Sequence, residues 1–404
     1  MQVLKTIRQA GEFGISTGEV SFDWKAVLAR KDQILRALIG DKRKSLEERG
    51  IAYFHEGARF LSPTELELDG ERVRAKKILI GTGSKTSRPP VEGIEKAITS
   101  TEALSLESLP KTLVMIGGGY IAMEFAHIFH TFGVRITVLE MEDRILKNND
   151  AEAALELQRL MEKKGIELYL STKVKRIAGD EGNFTVTAET PEGEREFQCE
   201  MVINAAGRSA NVEGLELDKS GVEMTKKGIK VNEYLQTNVP HIYAAGDVLG
   251  RLMLTPVASY EAKLAAENAL NGHRTKADYR VVPSAVFSDP ELGAVGLTEE
   301  QAKEQGLKYQ TVRYDFAKLG AAVLRGETEG FAKMIFEEGT GRILGVHILG
   351  PEASEMIVSA AFAMQGKLTQ EEFGSTMLIH PSLSESLGAV TTTAQTGHKE
   401  GCCG

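Results

Sequence analysis

Thr112–Glu140, TLVMIGGGYIAMEFAHIFHTFGVRITVLE, decides the fold. An apolar run, Thr112–Ile116, ends in three glycines. A segment with apolar residues at helical spacing, Tyr120–Phe132, follows, and Arg135–Glu140 is a second strand-like run. Strand, helix and strand in that order predict a parallel pair joined by a right-handed crossover. Gly117-Gly118-Gly119-Tyr120-Ile121-Ala122 fits G-x-G-x-x-G/A at the strand-to-helix turn, and an acid, Glu140, closes the next strand about 20 residues on. Each position has a physical task. Gly117 permits the tight turn, Gly119 lets the backbone approach a pyrophosphate at the helix N-terminus, and Ala122 keeps helix and strand close. Glu140 accepts from a ribose 2′-hydroxyl and repels a 2′-phosphate, so the pattern points to NAD rather than NADP.

Downstream, a helix over 151–164 and a strand over 166–170 keep the same rhythm. Residues 172–204 switch to hairpins and end in the apolar strand MVINAAG; HIYAAGDV (241–248) reads as a strand running into a helix over 256–270. From about Val281 the pattern becomes long strands with late helices, an α+β arrangement. Upstream, residues 24–49 carry helical spacing up to Gly50. Two strand-like stretches follow, IAYFHEGARF (51–60) and ELELDGERVRAKKILIGTGS (65–84), the second with an Asp69-Gly70 hairpin turn.

A chain of 404 residues exceeds one ordinary core, so two or three domains are expected. Hydrophobic residues at 42% and charged residues at 26% place it among globular proteins rather than disordered ones. A net charge of -9 argues against nucleic acid as the partner. No apolar run approaches the roughly 18 residues that span a bilayer, and the N-terminus lacks a signal-type apolar core, so no membrane association and a cytoplasmic location are expected. The 3 cysteines, Cys199, Cys402 and Cys403, form no structural disulfide framework.

With these motifs in place, the chain resembles the pyridine nucleotide–disulfide oxidoreductases: dihydrolipoamide dehydrogenase, glutathione reductase, mercuric reductase and high-molecular-weight thioredoxin reductase. Gly81-Thr82-Gly83-Ser84 is similar to the family's crossover from FAD to NAD domain, and Ala205-Ala206-Gly207-Arg208 to the return. Thr237–Val248 resembles the second FAD motif, whose aspartate, here Asp247, binds the ribityl chain; Met253-Leu254-Thr255-Pro256 would follow along the isoalloxazine. Val281–Ala302 resembles the start of the dimerisation domain, and His380-Pro381-x-x-x-Glu385 the catalytic His–Glu pair. The resemblance further implies a backbone contact from Val174 to NAD and from Gly57 to FAD. It gives Tyr120 a role as lid of the nicotinamide pocket, beside the plainer reading of helix N-terminal packing.

What the resemblance implies is an α/β protein. It would hold two Rossmann-like dinucleotide-binding domains, the FAD one truncated at its N-terminus, and a C-terminal α+β dimerisation domain. The expected boundaries are 1–100 and 226–280 for FAD, 101–225 for NAD and 281–404 for the interface. The expected activity is hydride transfer from NADH through FAD to a disulfide, of a small molecule or a protein, by a homodimer of dihydrolipoamide dehydrogenase type. No resident metal is expected.

The chain also departs from the family. No G-x-G-x-x-G precedes residue 117 and no C-x-x-x-x-C occurs. Met1 aligns just past the family's redox pair and the lysine that follows it, so Met1 is expected to be a mis-assigned start or a fragment boundary. Half an FAD site and an exposed sheet edge are expected in consequence. Glu124 matches the glutamate that pairs with that lysine.

His380 suits thiol–disulfide exchange, which needs a base for the attacking thiol and an acid for the leaving one; Glu385 would orient it. Adjacent Cys402 and Cys403 between glycines could shuttle electrons or hold a soft metal ion. They resemble the tails of thioredoxin reductases of this class and of mercuric reductases, against the plain alternative of a tail with incidental thiols. Two further readings follow: a mercury(II) or other soft-metal reductase using this pair, or a non-catalytic truncated dimer that binds NAD alone. Cys199 reads as a small buried hydrophobe.

Overall fold

The structure is a computed structural model describing residues 2–55 and 57–396. The described residues fall into two compact units. Of these, the first draws on residues up to Phe22, on Arg88–Ala206 and on those from Arg280 onward; the second draws on those within 23–87 and on Gly207–Tyr279.

The core of the first unit is a parallel sheet in the order Met201–Asn204, Thr112–Ile116, Arg135–Leu139, Glu167–Tyr169. Its central strand is buried from Leu113 to Ile116, as expected of a parallel strand covered on both faces. The helices Tyr120–Thr131 and Ala151–Lys163 bury Ala122, Met123, Ala126, Leu157 and Leu160. Lys173–Asp180, Asn183–Thr190 and Gly193–Cys199 form an antiparallel meander. Its inward residues Val174, Val186 and Phe197 share a core with Val114 and Leu139.

The same unit contains a five-stranded antiparallel sheet ordered Ser284–Val286, Glu291–Gly296, Ile343–Gly350, Phe331–Glu337, Tyr309–Asp315. Ile343–Gly350 is buried throughout, and the helices Ala353–Gln365 and Glu385–Thr396 pack against this core. Two polar residues, Lys333 and His347, stand opposite each other on the central strands.

In the second unit, Ala58–Ser62, Glu65–Leu68 and Glu71–Arg74 form a meander. Its Asp69-Gly70 turn has φ values of 50° and 82°, the doubly left-handed turn that suits the twist of a hairpin. Ile78–Ile80 pairs in parallel with Ile242–Ala244, and Ser84–Thr86 pairs with Arg208–Ala210. The first of these sheets has two strands among the described residues, and Leu79 within it is 42% exposed. The helix Trp24–Glu48 is capped by Asp23, which accepts from Lys25 N–H at 2.9 Å. None of its residues is buried.

Two strand expectations are corrected. IAYF does not join a sheet: residues 51–55 are irregular and the strand begins at Ala58. Ile51 and Tyr53 are exposed and find no partner strand among the described residues, so β propensity alone does not make the stretch a strand. HIYAAGDV forms a strand only over Ile242–Ala244 and stays extended through Ala245, because Gly246 adopts φ +79° and opens a short 3-10 turn carrying Asp247.

Candidate active site

Gly117 has φ +105°, and a Cβ there would stand 2.6 Å from the carbonyl oxygen of Ala205. No residue other than glycine satisfies both conditions. A Cβ on Gly118 would meet Glu140 Oε2 at 2.8 Å, whereas one on Gly119 would meet nothing within 4 Å. The turn is therefore closed against protein on two glycines and open on the third, at the helix N-terminus, where an anion is stabilised. Glu140 is 9% exposed, and its carboxylate accepts from the Gly118 N–H and from the Glu142 N–H, the latter at 2.7 Å. Leu146 N–H donates to Gly118 O at 2.9 Å, so the segment after Glu140 folds back onto the turn. Gly117 through Ala122 and Glu140 thus come together, and the cradle fits a dinucleotide.

Tyr120 is the first residue of the helix, and its hydroxyl hydrogen-bonds to Ser284 and Asn149. Burial raises its pKa against those bonds. Val174 is buried opposite Ala188 and packs beneath the same sheet. Glu124 takes the Phe287 N–H at 3.2 Å; burial keeps its carboxyl above the ordinary value. Cys199 is buried, which pushes its thiol up to about 11 and makes it a poor nucleophile at neutral pH.

A second cluster lies in the second unit. Asp247 Oδ2 accepts from Ser84 Oγ–H at 2.6 Å, and Arg208 donates from Nε to Ser84 Oγ at 2.7 Å and from Nη2 to Ser84 O at 2.7 Å. Thr82 Oγ1 donates to Asn211 O at 2.6 Å. Gly83, at φ +72°, has nothing within 4 Å of a built Cβ. Gly207, at φ +109°, accepts from Ser87 N–H at 3.0 Å. Met253 and Leu254 are half-buried and lead into the helix that begins at Thr255-Pro256. Gly57 stands apart from this cluster, exposed at the entry to the Ala58–Ser62 meander. Arg208 bonds the cluster together and is more than part of a return motif. Its signal in the sequence was a cation directly after a glycine, Gly207-Arg208.

The residues around Asp247 fit the polyol and ring portion of a flavin nucleotide. Among the described residues a strand-to-helix turn of three glycines occurs at 117–119 alone.

A third cluster is His380–Glu385. His380 Nδ1 lies 2.8 Å from Glu385 Oε1, and Ser382 N–H donates to Glu385 Oε2 at 2.7 Å. Burial alone would raise the Glu385 carboxyl; the Ser382 N–H and His380 outweigh it and hold it below the ordinary value. The imidazole is 69% exposed and the carboxylate 20%. Met377, Leu378 and Ile379, immediately before it, are exposed too. Cys402 and Cys403 lie outside the described residues.

No helix among the described residues is long and apolar enough to cross a membrane. The sequence pattern of the pyridine nucleotide-disulphide oxidoreductases matches residues 10–262, and that of their dimerisation domain matches 282–390. A dihydrolipoyl dehydrogenase of Bacillus subtilis is 34% identical over 97% of this chain and 86% of its own length. A mercuric reductase of Lysinibacillus sphaericus is 33% identical over 99% of this chain and 76% of its own. Among solved structures, the HOCl-induced flavoprotein disulfide reductase RclA from Escherichia coli superposes with a TM-score of 0.85 at 28% identity. That match covers 96% of this chain and 88% of the other. Proteins of this family are flavin-dependent oxidoreductases acting on sulfur groups with FAD and NAD(P)H, and their dimerisation domain pairs two copies. With both patterns matched in order along the sequence, the chain belongs to the pyridine nucleotide-disulphide oxidoreductase family.

Proposed function

We propose that this chain is part of an NADH-dependent FAD disulfide reductase of dihydrolipoamide dehydrogenase type, a cytoplasmic homodimer, whose first FAD motif and redox C-x-x-x-x-C the 404 residues do not contain. Residues 1–100 and 226–280 would serve FAD, 101–225 NAD and 281–404 the interface. The observation that carries the reading is Glu385, held between His380 Nδ1 and the Ser382 N–H while the imidazole stays exposed.

Held by Asp247, Ser84 and the Met253–Pro256 segment, bound FAD would supply the hydride acceptor between NADH and a disulfide. The protein's own residues do the rest. Gly117–Gly119 and the helix N-terminus hold the pyrophosphate, and Glu140 selects the unphosphorylated ribose. Asp247, fixed by Ser84, which Arg208 holds in turn, would accept from ribityl hydroxyls. With Nδ1 engaged by Glu385, His380 would exchange protons at Nε2 with the family's redox pair, which these 404 residues do not contain, taking one from the attacking thiol and returning one to the thiolate that leaves. Glu385 stabilises the imidazolium in between, as a triad carboxylate does. The exposed Met377-Leu378-Ile379 strip beside the histidine suits a covering second copy.

Stopped-flow kinetics test the assignment. In the enzyme that carries the redox pair, His380→Ala is expected to leave NADH-to-flavin transfer at its original rate and to slow disulfide turnover by about 100- to 10,000-fold. Equal loss in both half-reactions would contradict it. Similarity to the mercuric reductase across the chain favours a second reading, reduction of a soft metal ion held by Cys402 and Cys403. Loss of Hg(II)-dependent NADH oxidation on replacing both by serine is its test.

A further inference from the structure

The turn that presents Asp247 is fastened from behind by an acid. Glu261, on the helix Thr255–Asn271, is 1% exposed. Its Oε2 accepts from the Gly246 N–H at 2.7 Å and its Oε1 from the Tyr279 hydroxyl at 2.6 Å. Gly246 is left-handed at φ +79°, and a Cβ there would meet Ala258 at 3.1 Å, so the turn already sits against the helix that carries Glu261. On its other side Ala245 N–H donates to Ile80 O at 3.1 Å. Asp247 follows Gly246 directly and points its Oδ2 at Ser84.

Burying a carboxylate is costly, and two neutral donors compensate it only with both in place. A plain helix-packing position would carry an apolar residue here, like its neighbours Val257, Leu264 and Ala265. A buried acceptor facing a backbone N–H instead fixes the orientation of one peptide plane, that between Ala245 and Gly246, one residue before Asp247.

We propose that Glu261 is the positioning residue of the flavin-binding turn, with Tyr279 holding its second oxygen. It acts through Gly246, setting the direction of the Asp247 carboxylate toward the ribityl chain and touching neither flavin nor substrate. The proposal rests on the assignment of Asp247 to FAD made above.

The test titrates FAD into the full chain stripped of flavin, following flavin fluorescence and the absorption band of the bound cofactor, with NADH binding as a control for the first unit. Glu261→Leu is expected to weaken FAD by about 10- to 100-fold and to shift the bound flavin band, with NADH affinity unchanged. Glu261→Gln offers an amide oxygen to Gly246 and an amide N–H to the tyrosine oxygen, and is expected to restore affinity to within about 3-fold and to restore the band. Tyr279→Phe should fall between the two. Unchanged FAD affinity and spectrum in Glu261→Leu overturn the proposal, as does a Gln variant as impaired as Leu. Where the Leu variant does not fold, Tyr279→Phe decides, and wild-type affinity with a wild-type band overturns the proposal. Failure of the unsubstituted chain to take up FAD would sink the flavin assignment as well; uptake that ignores Glu261 would sink the positioning role alone.

Discussion

Lys333 Nζ lies 3.1 Å from Asp150 Oδ1, with the two side chains 3% and 1% exposed. The lysine stands on a central strand of the five-stranded sheet, and Asp150 caps the helix Ala151–Lys163 of the parallel sheet, so the pair ties the two sheets of the first unit together. Glu299 and Glu152 approach the same ammonium at 2.8 and 3.1 Å. Burial by itself would raise the Asp150 carboxyl, and His347 and Lys333 outweigh it and hold it low.

Lys333→Met therefore leaves a buried carboxylate without its cation, and is expected to destabilise by about 3–5 kcal/mol. Asp150→Asn combined with it should recover part of that loss, since no charge then remains buried and unpaired. Urea unfolding of the single and double variants measures both. Because Asp150 also caps the helix behind the segment that folds over Gly118, the single variant should weaken NADH binding as well.

Gly117→Ala and Gly119→Ala separate folding from binding. The first forces a Cβ to 2.6 Å from Ala205 O at a left-handed φ, so it should cost stability and nucleotide affinity together. The second meets no protein atom within 4 Å and should leave the melting temperature unchanged. Its methyl occupies the space where the pyrophosphate approaches, so NADH affinity should fall by about 10-fold or more. Calorimetry beside NADH titration reads the two effects; a destabilised Gly119→Ala would refute the division.

How far this was legible in the sequence depends on the distance between cooperating residues. The nucleotide cradle lies within one strand–helix–strand stretch, so Gly117 to Glu140 could be read as a unit. The His380–Glu385 pair is likewise local, and its geometry follows from a helix beginning at Glu385. Glu261 and Lys333 were passed over because an acid in a helix and a lysine in a strand usually face solvent. The signal lay in their neighbours. Glu261 occupies the Val257-x-x-x-Glu261-x-x-Leu264-Ala265 stripe that spacing assigns to the buried face, and Lys333 interrupts FAKMIFE, a strand buried from Phe331 to Phe336. Residues 51–55 failed for the opposite reason: apolar, β-favouring residues were present, and among the described residues a partner strand was not.

On the proposed reading Glu140 selects the nucleotide through hydrogen bonds as well as charge, with its carboxylate oriented by the Gly118 and Glu142 N–H groups. Glu140→Ala removes the acceptor for the 2′-hydroxyl and the repulsion of a 2′-phosphate. The expected result is NADH affinity down by about 10- to 100-fold and a narrowed gap to NADPH. KM for both nucleotides in flavin reduction measures it, and an unchanged NADH-to-NADPH ratio would refute the role.

His127 gives a pH dependence whose sign can be worked out. Burial lowers its pKa from 6.5 to about 4, against the Met123 carbonyl, which lies 2.8 Å from Nδ1 and favours the proton. The unfolded chain takes up that proton as pH falls through 6.5, and the folded one does not until about 4. Between those values the unfolded state binds more protons, so acid favours unfolding. The loss accumulates from near neutrality downward and reaches about 3 kcal/mol across the window. His127→Gln keeps a neutral polar side chain and has no proton to gain, so it should flatten this part of the profile while lying below the parent protein at pH 7. Urea midpoints from pH 7.5 downward distinguish the two; parallel profiles for parent and variant would show that the imidazole does not carry the slope.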